Sequence, residues 1–108
     1  MPKYLTVVSY TPEGAKGLLK EGGTARRAAV EKLMKSLGGR LEAFYFAFGE
    51  NDAYIITEQP DHVTTAAVSL SVSATGTIRG RTIVLLTPEE IDQAAKKTVK
   101  FRPPGSRE

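Results

Sequence analysis

Arg40-Leu41-Glu42-Ala43-Phe44-Tyr45-Phe46-Ala47-Phe48-Gly49-Glu50-Asn51-Asp52-Ala53-Tyr54-Ile55-Ile56-Thr57 is the stretch from which the fold is read. Aromatic and β-branched residues flank the turn-forming Gly49-Glu50-Asn51-Asp52, so the segment reads as two strands, Arg40–Phe48 and Ala53–Thr57, hinged as a hairpin. Along the first strand Phe44, Phe46 and Phe48 alternate with Leu41, Ala43, Tyr45 and Ala47. Both faces of that strand are therefore apolar. A two-residue turn at Glu50-Asn51 would pair Phe48 with Ala53 and Phe46 with Ile55, whereas a three-residue loop would set Phe46 against Tyr54.

Working outward, a helix stands on each side of this hairpin and a strand beyond each helix. Lys3–Tyr10 is β-branched and aromatic, as a strand requires. Thr11-Pro12-Glu13-Gly14 opens a helical segment, with Thr11 as N-cap and Pro12 at the tolerated first position. Gly22-Gly23 interrupts it. Thr24 is placed to cap a fresh helix in which Ala25, Ala29, Leu33 and Leu37 recur along one face, until Gly38-Gly39 ends it. On the other side Asp61 caps a second helix that Gly76 closes. Its interior is rich in Thr, Ser, Ala and Val, so this assignment rests on the caps and the position more than on propensity. Ile78–Leu86 forms the last strand, and Thr87-Pro88-Glu89-Glu90 starts a short C-terminal helix. The order β-α-β-β-α-β is that of an α+β, ferredoxin-like domain with a four-stranded antiparallel sheet.

Two helices cover only one face of such a sheet. Here Val7, Ile55 and Val84, and their neighbours Val8, Ile56 and Leu85, place apolar side chains on both parities. A soluble monomer rarely leaves that much apolar surface wet. Packing the uncovered face against a second copy resolves this by symmetry, so a homodimer is expected, with higher assembly left open.

The 108 residues fit one domain. No cysteine is present, which excludes disulfides, zinc-thiolate sites, iron–sulfur clusters and thiol nucleophiles. No signal-like start and no apolar run of membrane-spanning length is found, so a cytoplasmic protein without membrane contact is expected. The net charge of +3 sits in residues 96–108, where Lys96, Lys97, Lys100, Arg102 and Arg107 face only Glu108; the preceding residues sum to −1. That distribution argues against a nucleic-acid face. Residues 1–95 are read as the domain and 96–108 as a basic, flexible, solvated tail, with Phe101 as the side chain able to tie it to a partner subunit.

Several runs resemble one family. Leu37-Gly38-Gly39-Arg40-Leu41, Phe44-Tyr45, Gly49-Glu50-Asn51-Asp52 and Glu58-Gln59-Pro60-Asp61, with Tyr10-Thr11-Pro12-Glu13-Gly14 and Gly76-Thr77-Ile78-Arg79, are similar to the GYD-domain proteins over residues 3–91. The resemblance implies a dimeric α/β-barrel arrangement and no particular activity. The central Tyr of the Gly-Tyr-Asp signature is Asn51 here, while Gly49 and Asp52 are kept.

Candidate functional residues follow from chemistry. Gly49 is expected to hold a positive φ in the hairpin, as a structural residue, and Asp52 either to accept turn N–H bonds or to serve as a pocket carboxylate. His62, in the first turn of the second helix, is expected to be neutral and exposed or half-packed. Without a Ser or Cys partner or a ligand-spaced carboxylate it argues for neither a catalytic nor a metal site, and it stands as a candidate ligand-binding side chain. Arg79 and Arg81 share a face of the last strand and either reach solvent or hold a small anion. Tyr10, Tyr45 and Tyr54 are core or rim residues, or part of a cage for a small molecule. No cofactor is indicated. The first function class is therefore a dimeric module that binds a small aromatic or anionic molecule, or serves in assembly. The second, a cofactor-independent enzyme resembling monooxygenases or isomerases of small aromatic compounds, rests on fold analogy and is the less favoured.

Overall fold

The computed structural model describes residues 1–107. In chain order the elements are β1 (Lys3–Tyr10), α1 (Pro12–Glu21), α2 (Gly23–Ser36), β2 (Arg40–Phe46), β3 (Ala53–Glu58), α3 (His62–Ala74), β4 (Ile78–Leu85) and α4 (Pro88–Ala95). The strands form one antiparallel sheet in the order β2-β3-β1-β4. This is the expected α+β, ferredoxin-like topology, in which each βαβ half contributes one central and one edge strand.

Local chemistry explains most of the boundaries. The Thr11 side chain accepts from the Gly14 amide ahead of Pro12, and that of Asp61 accepts from the Thr64 amide at the start of α3. A reciprocal capping box between Thr87 and Glu90 opens α4. Gly38 and Gly76 both adopt positive φ, +77° and +72°, where α2 and α3 stop. The break between α1 and α2 falls at Gly22, with φ of +86°. Gly22 is also the N-cap of α2, without a side-chain hydrogen bond, so the cap expected at Thr24 is not used.

Cross-strand register sorts the side chains onto two faces. Tyr4, Thr6, Val8 and Tyr10 of β1 stand level with Thr57, Ile55 and Ala53 of β3 and with Val84, Thr82, Gly80 and Ile78 of β4. This face lies under the helices, and Val8, Ala53 and Ile55 form the buried core with Val30, Leu41, Phe44 and Ile78 against it. Lys3, Leu5, Val7 and Ser9 share the opposite, helix-free face with Tyr54, Ile56, Arg79, Arg81 and Ile83.

Two features of the hairpin differ from the sequence expectation. A β-bulge between Leu41 and Ala43 leaves Glu42 unpaired, so Leu41 joins Phe44 on the helix side instead of sharing a face with Ala43 and Tyr45. The last pair is Phe46 with Ala53, and β2 ends at Phe46. Neither short turn forms. A longer loop spans the gap, closed by the Ala47 amide on the Asp52 carbonyl at 2.8 Å, and Phe48 is fully exposed within it. Gly49 is not among the glycines with positive φ, which corrects the strained conformation expected there. The longer loop spreads the reversal over more residues and removes the need for a left-handed one.

At one end of the helix-free face, Arg40 and Lys3 surround Glu42 and Glu58. The Arg40 hydrogen bond, and then its charge, hold the Glu58 carboxyl below its ordinary range against the opposing effect of burial. Such exposed pairs fix side-chain positions more than they stabilise.

Candidate functional site

Helix α2 packs over β2 and α3 over β4. Between the two helices, the central strands β1 and β3 floor a cavity of about 150 Å³. Val8 and Ile55 form the apolar part of the floor; Val30 and Met34 of α2 stand on one side and Val68 and Val72 of α3 on the other. The composition of α3 now has a physical reason. Its small and β-branched residues keep the helix slim on the side where the cavity lies, and Thr65, Ser69 and Ser73 add hydroxyls to the wall.

One polar group in this wall stands apart. Gln59 is 2% exposed. Its Nε2 donates to Thr57 Oγ1 at 3.0 Å, while its Oε1 is buried and accepts from no protein donor among the described residues. Leaving a buried amide oxygen unpaired costs about 1–3 kcal/mol. Its backbone is fixed, since the Gln59 amide donates to the Pro2 carbonyl at 3.1 Å.

Tyr10 and Arg26 are the titratable side chains among the described residues of the lining. Burial pushes the Tyr10 phenol above its ordinary value; Arg26 opposes that, and Glu21 and Asp52 reinforce it. The phenol therefore stays protonated through the neutral range. Both Nε and Nη2 of Arg26 donate to Glu21 Oε2, at 3.1 and 2.7 Å. The charge of Arg26 is thus compensated within the protein.

Of the residues singled out in the sequence, Tyr10 lies in this cavity and the others do not line it. Asp52 stands behind Tyr10, its Oδ2 accepting from the Tyr10 backbone amide at 2.8 Å. Its carboxylate thus ties the end of β1 to the hairpin loop, and the adjacent Asn51 accepts from the Ser9 hydroxyl at 3.2 Å. His62 is exposed at the start of α3, with Nδ1 at 2.6 Å from the buried Tyr4 hydroxyl and the rings edge to face at 5.7 Å. Tyr45 and Tyr54 are cross-strand partners on the helix-free face, in one row with Val7 and Arg81. Arg79 borders a shallow hollow beside the turn between α3 and β4, with Thr11, Gly76 and Gly80.

Sequence reasoning missed Gln59, Thr57 and Arg26. A signal for two of them existed, because Ile55, Thr57 and Gln59 continue one parity past the hairpin and so share the core face. Nothing in the spacing marked Arg26, which reaches the cavity only through the packing of α2.

An α+β sandwich of ferredoxin-like topology with a small, mostly apolar cavity between its sheet and helices defines the class of protein. A family model described as GYD domain matches residues 4–95, from β1 to the end of α4, and the chain belongs to the GYD-domain family. No curated protein and no solved structure gives a significant match. No helix among the described residues is long and apolar enough to cross a membrane.

Proposed function

We propose that this protein binds a small, neutral, aromatic molecule with one hydrogen-bonding group in the cavity between α2, α3 and the sheet. The observation that carries this reading is that Gln59, whose Oε1 is buried and unpaired among the described residues, lines a cavity of about 150 Å³. An apolar cavity of roughly that size accommodates benzene. A turn of the Gln59 side chain toward the cavity would let a ligand O–H or N–H satisfy the orphan oxygen, and Thr6, Thr65 and Thr82 line the same cavity. Pairing of Arg26 with Glu21 favours a neutral ligand over an anionic one.

The lining also favours binding over catalysis. A cofactor-independent oxygenase or isomerase needs a base near its substrate, and the titratable groups in the described lining are a protonated phenol and a paired guanidinium. The binding unit is a homodimer in this reading, because Leu5, Ile56 and Ile83 leave the helix-free face apolar, and a second copy covers it by symmetry.

Native mass spectrometry of the purified protein, followed by NMR titration with phenol, toluene and benzoate, tests the proposal. Phenol is expected to move the Gln59 side-chain amide resonances, with toluene weaker and benzoate weaker still. The Gln59→Leu variant should lose the preference for phenol over toluene. A native spectrum without a retained ligand, together with no response to any of the three probes, would overturn the reading.

A further inference from the structure

Helix α4 and the helix-free sheet face are both unpartnered, and they are complementary. Every residue of α4 is exposed. The helix is nonetheless well specified, by Pro88 in its first turn and by the Thr87–Glu90 capping box. Eight residues are too few for a stable helix in water without packing. The helix is amphipathic: Pro88, Ile91, Ala94 and Ala95 form an apolar stripe, beside Glu89 and Asp92. Ile91 is 51% exposed and Leu86, in the link to the sheet, 59%. The chain measures 60 × 31 × 24 Å with a radius of gyration of 17.6 Å, against about 13 Å for a compact chain of this size. The C-terminal segment therefore projects from the domain.

The helix-free face offers the converse surface. Arg79 and Arg81 stand there without an ion pair among the described residues, beside an apolar row that includes Leu5 and Ile83. Glu89 and Asp92 are likewise without an ion pair. The acids lie past the end of β4 and the arginines toward its start, so within one chain they sit at opposite ends of the strand. A two-fold axis running across the strands brings the end of one β4 beside the start of the other.

We propose that α4 is an exchange arm: it leaves its own domain and packs on the helix-free face of a second copy, with Ile91 on the apolar row and Glu89 and Asp92 against Arg79 and Arg81. This rests on the homodimer reading and adds what holds the dimer together.

Sedimentation equilibrium on four chains tests it: the full chain, a chain ending at Leu86, the pair Glu89→Arg/Asp92→Arg, and that pair combined with Arg79→Glu/Arg81→Glu. Circular dichroism reports that each is folded. Ending at Leu86 or reversing the acids should raise the dimer dissociation constant at least tenfold, and the combined reversal should bring it back to within about threefold of the full chain. If the shortened chain does not fold, the two reversal variants decide. An unchanged dissociation constant on reversing the acids, or no recovery in the combined variant, overturns the arm while leaving the dimer. A change in melting temperature without a change in dissociation constant would mean that α4 folds onto its own chain, and also overturns it. A full chain that is monomeric at micromolar concentration removes both readings.

Discussion

Gly14 and Gly49 show how differently two glycines constrain this chain. A Cβ on Gly14 would lie 1.9 Å from the Thr77 carbonyl oxygen, because α1 presses against the turn between α3 and β4. That contact is held shut by the Thr11 amide on the Thr77 carbonyl at 3.1 Å and the Thr11 hydroxyl on the Gly76 carbonyl at 2.8 Å. Gly14→Ala should therefore cost about 3 kcal/mol in urea unfolding, as backbone must move to relieve the overlap. A Cβ on Gly49 meets nothing within 4 Å, and its φ is not in the left-handed region. Gly49→Ala should stay within about 0.5 kcal/mol of the parent. Read from the sequence, Gly49 has a backbone role and Gly14 only a place in a helix-opening run, because the constraint on Gly14 comes from Thr77, 63 positions away. Tyr10 adds a pH signature. Its folded-state value is raised by burial, so its contribution is complete below about pH 10, the ordinary tyrosine value, and is lost as pH rises through the folded value. Stability should fall more steeply above pH 10 in the parent than in Tyr10→Phe, measured by denaturant unfolding across that range.

At the scale of elements, the hairpin loop is anchored from outside itself. Asp52 gives its carboxylate to the Tyr10 amide at the end of β1, and its own amide donates to the Val8 carbonyl at 2.8 Å. Asp52→Ala should cost about 1–2 kcal/mol through the lost charge-assisted hydrogen bond, and chemical-shift changes should reach β1 as well as the loop. Stability unchanged, with ligand binding abolished, would instead return Asp52 to the role of a pocket carboxylate. Much of this level was readable from the chain. Thr11, Asp61 and Thr87 are caps whose chemistry is local, and the glycines after α2 and α3 stop their helices wherever the rest of the fold lies. The bulge at Glu42 was not readable, because alternation continues through it and only the partner strand reveals the extra residue. The cavity was hidden for a related reason. It exists because α2 and α3 settle over opposite edges of the sheet, and helix spacing is not a property of any one segment.

For the whole molecule, the projecting C-terminal segment divides into two parts with different expected behaviour. Leu86 and α4 carry the capping box, the apolar stripe and the acids that suit them to a second copy. Beyond Lys97 the described residues include two prolines, several basic side chains and only two large apolar residues, Val99 and Phe101, which are 77% and 74% exposed. A segment of that composition cannot bury enough apolar surface to offset an ordering entropy of about 1–2 kcal/mol per residue. Truncation after Lys97 should therefore leave the melting temperature within a few degrees of the full chain and the assembly mass unchanged by light scattering, whereas truncation after Leu86 should dissociate the dimer. The contrast separates a docked helix from a solvated tail, since both deletions remove exposed residues. A large fall in melting temperature on truncation after Lys97, reproduced by Phe101→Ala alone, would extend the docked region to Phe101, because a single exposed ring has that effect only if it is buried in the assembly.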